Sequence, residues 1–399
     1  MGRKHLTNGL VFLCAAAAVS VAGCGGSANG IAGGAMPGTG GSAAVPDANS
    51  FGKVHTPTPP PTPTPVPFPT TDPASLPVLS DTSTSTAGIF LGAVCDRGSM
   101  VTCPNFATTF RHGIALGTIY SDWRYDMGEV VKNSGFSTWV AQGITPEITW
   151  EPTNVSFADI NSGLYDAYLT TTATELKAFG STIFLRPFHE FNGTWYTWGL
   201  ANQGGSSATD TAFIAAWQRM VTIFHNAGAT NVKFVWCFST GALGNATTSP
   251  WNNPANAYPG DAYVDWIGYD TYNRGNILTG AKWKSFDTIS MTPYQLAVSI
   301  APNKPVAVSE IASNEYGDGG ASKTTWVTAM LDELQSPSNP YPNIKLLSWF
   351  EQDLLGFSYD LQSTNPVYTA FANGIRATDD TGVLKFRSNG AILGNVTQP

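Results

Sequence analysis

The chain has 399 residues, a formal net charge of -8, and only 12% charged residues against 12% aromatic ones that include 12 Trp. This acidic balance argues against a nucleic-acid partner, which needs a basic face, and a surface poor in charge and rich in aromatics suits a neutral ligand. The length exceeds an ordinary single domain, yet one barrel of roughly 250 residues or more would account for most of it.

Residues 1–23 read as a leader. Arg3, Lys4 and His5 precede an apolar run over 10–22 that is too short to span a bilayer comfortably, the layout of a secretory signal. The run ends in "VAGC" at 21–24, which resembles the lipobox of bacterial lipoproteins. That resemblance implies cleavage before Cys24 and a lipid on the new N-terminus, the chain's sole tie to a membrane; an ordinary signal peptide with an incidental cysteine is the alternative. Residues 24–80 read as a linker of Gly, Ala, Ser, Thr and Pro with almost nothing to build a core. Its Gly-rich front is flexible and its Pro-rich rear, "TPTPPPTPTPVPFP" at 56–69, is stiff. The chain is thus expected to be exported and either held at the cell surface or extracellular.

The cysteines agree with export. Cys95 and Cys103 in "CDRGSMVTC" lie close enough to close a small disulfide loop in an oxidising compartment. Cys237, inside the apolar "VKFVWCF", reads as a small buried hydrophobe rather than a nucleophile.

Residues 81–378 alternate short apolar runs with helical patterns. The runs are "GIFLGAV" (88–94), "GIALGTIY" (113–120), "ITPEITW" (144–150), "TIFLRPF" (182–188), "VKFVWCF" (232–238), "YVDWIGY" (263–269), "PVAVSE" (305–310) and "KLLSWF" (345–350). Near-continuous apolar strands point to burial on both faces, as in a parallel sheet. Between them, 211–226 carries Phe213, Ile214, Trp217, Met220, Val221 and Phe224 at helical spacing with Gly228 just beyond, and 163–179 carries Leu164, Tyr168, Leu169, Leu176 and Phe179. Eight such units predict an α/β fold, a (β/α)8 TIM barrel, with its site at the C-terminal ends of the strands. An open doubly wound sheet would carry a glycine-rich phosphate loop after an early strand, and none stands there. Residues 379–399 form a tail that either adds to the barrel or stays loose.

Counting strands puts Glu190 just past the fourth and Glu310 at the end of the seventh, so both carboxylates are expected at the barrel mouth. Glycosidic cleavage needs such a pair, one carboxyl to protonate the leaving oxygen and one across the sugar ring, with no cofactor. Glu190 lies among Phe188, Phe191 and Trp195, apolar surroundings that favour its neutral form and suit a general acid. Glu310 is expected to face Tyr272, whose hydroxyl would hold it ionised as a nucleophile. Arg186 shares strand parity with Glu190 and is expected to be its charge partner from below, unless a bulge at the strand end alters that geometry. Trp123, Trp150, Trp195, Trp198 and Trp349 lie beside strand ends, where sugar rings would stack. No metal is expected: His5 and His55 lie outside the domain, and His112 and His225 show no ligand spacing. His189 then reads as a hydrogen-bonding group beside the acid. Glu147, Glu151, Asp270, Glu315 and Glu351 read as supporting or loop residues.

"RPFHEFNGTWYTWG" at 186–199 resembles the strand-four signature of glycoside hydrolase family 26, dominated by β-mannanases, and the similarity extends through "ITWEP" before it and "YVDWIGYDTYN", "VSE" and "SWF" after it, in the family's order. The resemblance implies a retaining mechanism with Glu190 as acid/base and Glu310 as nucleophile. It also implies that His189 contacts the attacked sugar, that Trp195 and Trp349 are sugar-binding aromatics, and that Tyr272, with Tyr269 as the alternative, stands beside the nucleophile. Substrate-binding positions expected overall are His189, Trp195, Tyr272, Trp349, Trp150 and Arg186. The expected partner is a polysaccharide, β-1,4-mannan or glucomannan, cut by a monomer. Mixed-linkage β-glucan or xylan on the same scaffold, and a non-catalytic polysaccharide-binding barrel, are the alternatives.

Overall fold

The computed structural model describes residues 88–94, 103–277, 281–315, 322–353, 356–361, 365–376 and 386–387. The eight apolar runs become eight parallel strands: β1 (Ile89–Val94), β2 (Leu116–Asp122), β3 (Thr145–Glu151), β4 (Ile183–Pro187), β5 (Val232–Ser239), β6 (Trp266–Asn273), β7 (Val306–Ser313) and β8 (Ile344–Phe350). Each pairs with the next, and β1 pairs with both β8 and β2, which closes the barrel. A two-residue β9 (Phe386–Arg387), in the tail, adds in parallel to β1. The leader, the linker, Cys24 and Cys95 lie outside the described residues; Cys103 is disulfide-bonded.

The outer ring comprises α1 (Phe106–Phe110), α2 (Met127–Asn133), α3 (Phe136–Ala141), α4 (Phe157–Ser162), α5 (Asp166–Phe179), α6 (Ser207–Ala227), α7 (Phe286–Ile300), α8 (Lys323–Gln335) and α9 (Asn365–Arg376). The helix expected over 211–226 starts earlier, because Ser206 caps it by accepting from Thr209 N, and it stops where Gly228 takes φ 73°. Its buried stripe of Phe213, Trp217, Met220, Val221 and Phe224 contributes about 1.5–3 kcal/mol for each large apolar side chain. The helix expected over 163–179 starts later, at Asp166, as α5. Gly163, at φ 90°, ends α4, and Leu164 falls in the break, 70% exposed, instead of on an apolar stripe. Among the described residues no helix is long and apolar enough to cross a membrane.

Inside the barrel, alternation along the strands builds layers. Phe90, Leu116, Phe184, Val235, Trp266, Ala307 and Leu346 form an apolar plug. Two residues farther along several strands the lining turns polar, with Thr118, Arg186, Ser348 and, on β3, Glu147 and Thr149, all buried. Larger residues cannot replace the glycines here: a Cβ on Gly92 would meet Ser348 Oγ at 2.1 Å. The plug closes the bottom, so chemistry has only the C-terminal mouth available.

Candidate active site

β4 leaves the extended conformation as soon as it leaves the sheet. Phe188 and Glu190 both adopt φ 53°, a left-handed backbone that costs non-glycine residues on the order of 1–3 kcal/mol each. The cost is offset by anchors on every side. Glu190 N donates to Cys237 O at 3.0 Å, and Trp198 Nε1 donates to His189 O at 2.9 Å. Asn192 clasps Ser239, accepting from its N and donating to its O, both at 2.8 Å. The two irregular residues send Phe188 out among Trp123, Phe157, Phe213 and Trp217 and bring Glu190 to the mouth.

Glu190 is 8% exposed and accepts from Trp195 Nε1 at 2.6 Å. Burial, then the nearby charge of Glu310, push its pKa up to about 7, against the pull of hydrogen bonds from Ser239 and Trp195 and of the Arg274 charge. It is therefore largely a neutral acid below neutrality.

Glu310 reaches the mouth by a different irregularity. Tyr269 pairs with Val308, but Asp270 pairs with Glu310, so Ser309 is an extra residue in β7. A Cβ on Gly268 would meet Ser309 Oγ at 2.6 Å, so Ser309 faces the interior, and the bulge lets Glu310 face it too. Its Oε1 accepts from Arg186 Nη2 at 2.7 Å and from Tyr120 Oη at 2.5 Å, and Tyr272 Oη donates to its Oε2. Burial by itself would raise the pKa of Glu310, but Arg186 and these hydroxyls hold it below the ordinary value. His189 adds no charge at neutral pH, since burial and Arg186 lower its pKa to about 3.

Arg186 is fully buried and organises the floor. It donates to Asp270 at 3.1 Å, to Thr149 at 2.7 Å and to Glu310, and its Nε lies 3.7 Å from Glu147. Three carboxyls round one guanidinium cannot all be ionised. Burial raises both Asp270 and Glu147, Asp270 strongly, so Glu310 keeps the negative charge.

Several expectations are corrected. Arg186 partners Glu310 and Asp270 rather than Glu190, because the chain loses strand alternation at Phe188; fully buried in the floor, it supports Glu310 and is not placed to touch a substrate. Trp150 and Trp349 are fully buried and face away from the mouth. Alternation turns Thr149 inward, so Trp150 packs against Trp123 at 4.6 Å and Tyr168 at 5.9 Å. It likewise turns Ser348 and Phe350 inward, so Trp349 packs against Phe371 and Trp326 and donates to Tyr359 O. Phe350 takes the inward place, 5.7 Å from the Tyr272 ring. Of the two candidate tyrosines, Tyr272 bonds Glu310, while Tyr269 packs against Phe238.

His189 and Trp195 do stand at the acid: His189 Nε2 lies 3.1 Å from Tyr196 Oη, and Trp195 is half-buried. Tyr120 was missed, although the second apolar run ends on it, because nothing local shows that it reaches across to β7. Among the described residues no group of His, Cys, Asp and Glu is arranged to hold a metal ion.

The sequence profile of glycosyl hydrolase family 26 matches residues 107–313, about half of the chain. Endoglucanase H of Acetivibrio thermocellus is 38% identical over 207 residues, 52% of this chain and 21% of that protein. Mannan endo-1,4-beta-mannosidase A and B of Caldalkalibacillus mannanilyticus is 30% identical over 157 residues, 39% of this chain and 26% of that protein. The chain thus spans only about a fifth to a quarter of these relatives' length. The fold matches a modular endo-beta-1,4-mannanase from Cellulomonas fimi with a TM-score of 0.54, at 18% identity over 78% of this chain and 74% of that one.

Proposed function

The chain belongs to glycosyl hydrolase family 26, and on that footing we propose that it is a retaining endo-β-glycanase with Glu190 as acid/base and Glu310 as nucleophile. One observation carries the reading: two carboxyls at one barrel mouth are tuned in opposite directions, Glu190 up to about 7 and Glu310 down. Divergent tuning of this kind is how acid and nucleophile are told apart.

In the first step Glu190 gives its proton to the glycosidic oxygen while a Glu310 oxygen bonds to the anomeric carbon and the C–O bond to the leaving sugar breaks. Bond formation removes the charge of Glu310, which is the second largest cause raising Glu190, so the Glu190 pKa falls. Glu190, now a carboxylate, takes a proton from water as that water attacks the anomeric carbon and releases Glu310. Tyr272 and Arg186 orient the nucleophile, and Trp195, half-buried with its indole N–H on Glu190, offers its ring to a sugar face.

The substrate proposed is β-1,4-mannan or glucomannan, in keeping with the mannanase relatives. A second reading, a β-glucan, is favoured by the higher identity to the Acetivibrio endoglucanase. The leader and linker support export, with Cys24 as a lipid anchor, and we take the working unit to be a monomer.

The test is a panel of soluble mannan, glucomannan, mixed-linkage glucan and xylan, assayed with wild type, Glu190→Ala and Glu310→Ala. One polymer should be shortened, and each variant should lose activity by orders of magnitude. Azide should rescue Glu310→Ala as a glycosyl azide of inverted configuration; rescue of Glu190→Ala by that route would reverse the two roles. Activity on none of the polymers would favour a binding module.

A further inference from the structure

Next to the catalytic mouth lies a cleft of about 490 Å³ lined by the segment after β5, the end of β6 and the first half of α7. Its volume is within the roughly 300–1,000 Å³ of small-ligand clefts. Its lining does not resemble a platform for neutral sugar rings. Tyr272 is its one aromatic residue, Arg274, Lys282 and Lys284 supply three cations, Thr240 and Thr292 add hydroxyls, and no carboxylate lines it among the described residues. In a chain with 20 Lys and Arg and a net charge of -8, three cations on one cleft wall form a local reversal of sign. Tyr272 is shared: it lines the cleft while its hydroxyl bonds the Glu310 carboxylate. A glycan threaded through the mouth therefore has a sugar or a branch within reach of these cations.

We propose that this cleft is a subsite for a carboxylate carried by the β-glycan, a uronic-acid residue or branch, held by Arg274, Lys282 and Lys284. The proposal rests on the β-glycanase reading and adds the substrate's charge to it. Arg274 also touches the chemistry, since its charge helps to hold down the pKa of Glu190. An anion bound at Arg274 would offset that charge, so the alkaline limb of the pH–rate profile should move to higher pH for the acidic substrate.

The experiment compares glucomannan and mixed-linkage glucan, each untreated and after partial oxidation of its C6 hydroxyls to carboxylates, with wild type and with a Lys282→Gln/Lys284→Gln double variant. Wild type should show a several-fold lower KM for the oxidised form of the polymer it cuts. That advantage should shrink as NaCl is raised, because the cations are near solvent and screened. The double variant should lose the advantage and keep kcat/KM on the untreated polymer within about twofold. Cleavage of an untreated polymer with no preference for its oxidised form, or a preference that survives in the double variant, would overturn the cleft assignment and leave the β-glycanase reading standing. Failure to cut either polymer in either form would overturn both.

Discussion

Arg186, from the fourth strand, donates a 2.7 Å hydrogen bond to Oε1 of Glu310, from the seventh. The pair spans the barrel interior and joins residues 124 positions apart. Arg186→Met would leave Glu147, Asp270 and Glu310 without their cation. Breaking a buried ion pair from one side costs about 3–5 kcal/mol. The unpaired carboxyls would have folded pKa values above their unfolded ones, so the loss should be smallest at acid pH and grow as pH rises through those values. The acid limb of kcat/KM should also move up, because Glu310, as the proposed nucleophile, must be ionised to attack. Urea midpoints at several pH values and a pH–rate profile check both; a limb that stays in place would remove Arg186 from the role of holding Glu310 charged.

Glu190→Gln should stabilise the fold in one pH window. The folded pKa of Glu190, about 7, lies above the unfolded value of about 4.3. Between these values the unfolded chain binds fewer protons, so wild-type stability falls as pH rises, by roughly 4 kcal/mol in total. Glutamine does not titrate. The variant should match wild type's trend below about pH 4 and gain on it up to about pH 7, with the gap constant above. Denaturation midpoints that show no such gain would mean that the carboxyl is ionised in the folded protein.

Trp195→Phe keeps a ring for stacking but removes the N–H that Trp195 gives to Glu190 at 2.6 Å. That bond favours the ionised carboxylate and lowers its pKa. Without it the pKa of Glu190 should rise further and carry the alkaline limb of kcat/KM with it. An unchanged or lowered limb would contradict the electrostatic role of the indole.

Trp349→Phe separates a core residue from a sugar platform. The side chain lies between the barrel and α8 and α9, and its N–H donates to Tyr359 O at 3.1 Å. The variant should lose about 1–3 kcal/mol of stability and keep its KM for polymer within about twofold. A large KM increase with unchanged stability would return Trp349 to the substrate.

Much of this molecule can be read from local pattern, since apolar runs and helical stripes record which face of a short segment is buried. All eight strands lie where such runs stand, and Glu190, His189 and Trp195 come together because they are neighbours in one short segment. Where side chains past a strand end point cannot be read that way. Trp150 and Trp349 are expected at the mouth by their position along the strand, yet alternation carries them behind the sheet. The apolar runs stop short of the ends of β6 and β2, which leaves Tyr272 beyond its run, and nothing local in the run that ends on Tyr120 tells that it crosses to Glu310.

The sequence by itself determined the strand order, the barrel and the two glutamates, because burial of apolar residues is imposed segment by segment. Only the tertiary structure decided which groups charge and orient those glutamates. The left-handed turns at Phe188 and Glu190, the extra residue at Ser309 and the convergence on Arg186 arise when the sheet closes on itself, and hydrogen bonds between strands far apart in the chain leave no periodic trace in it.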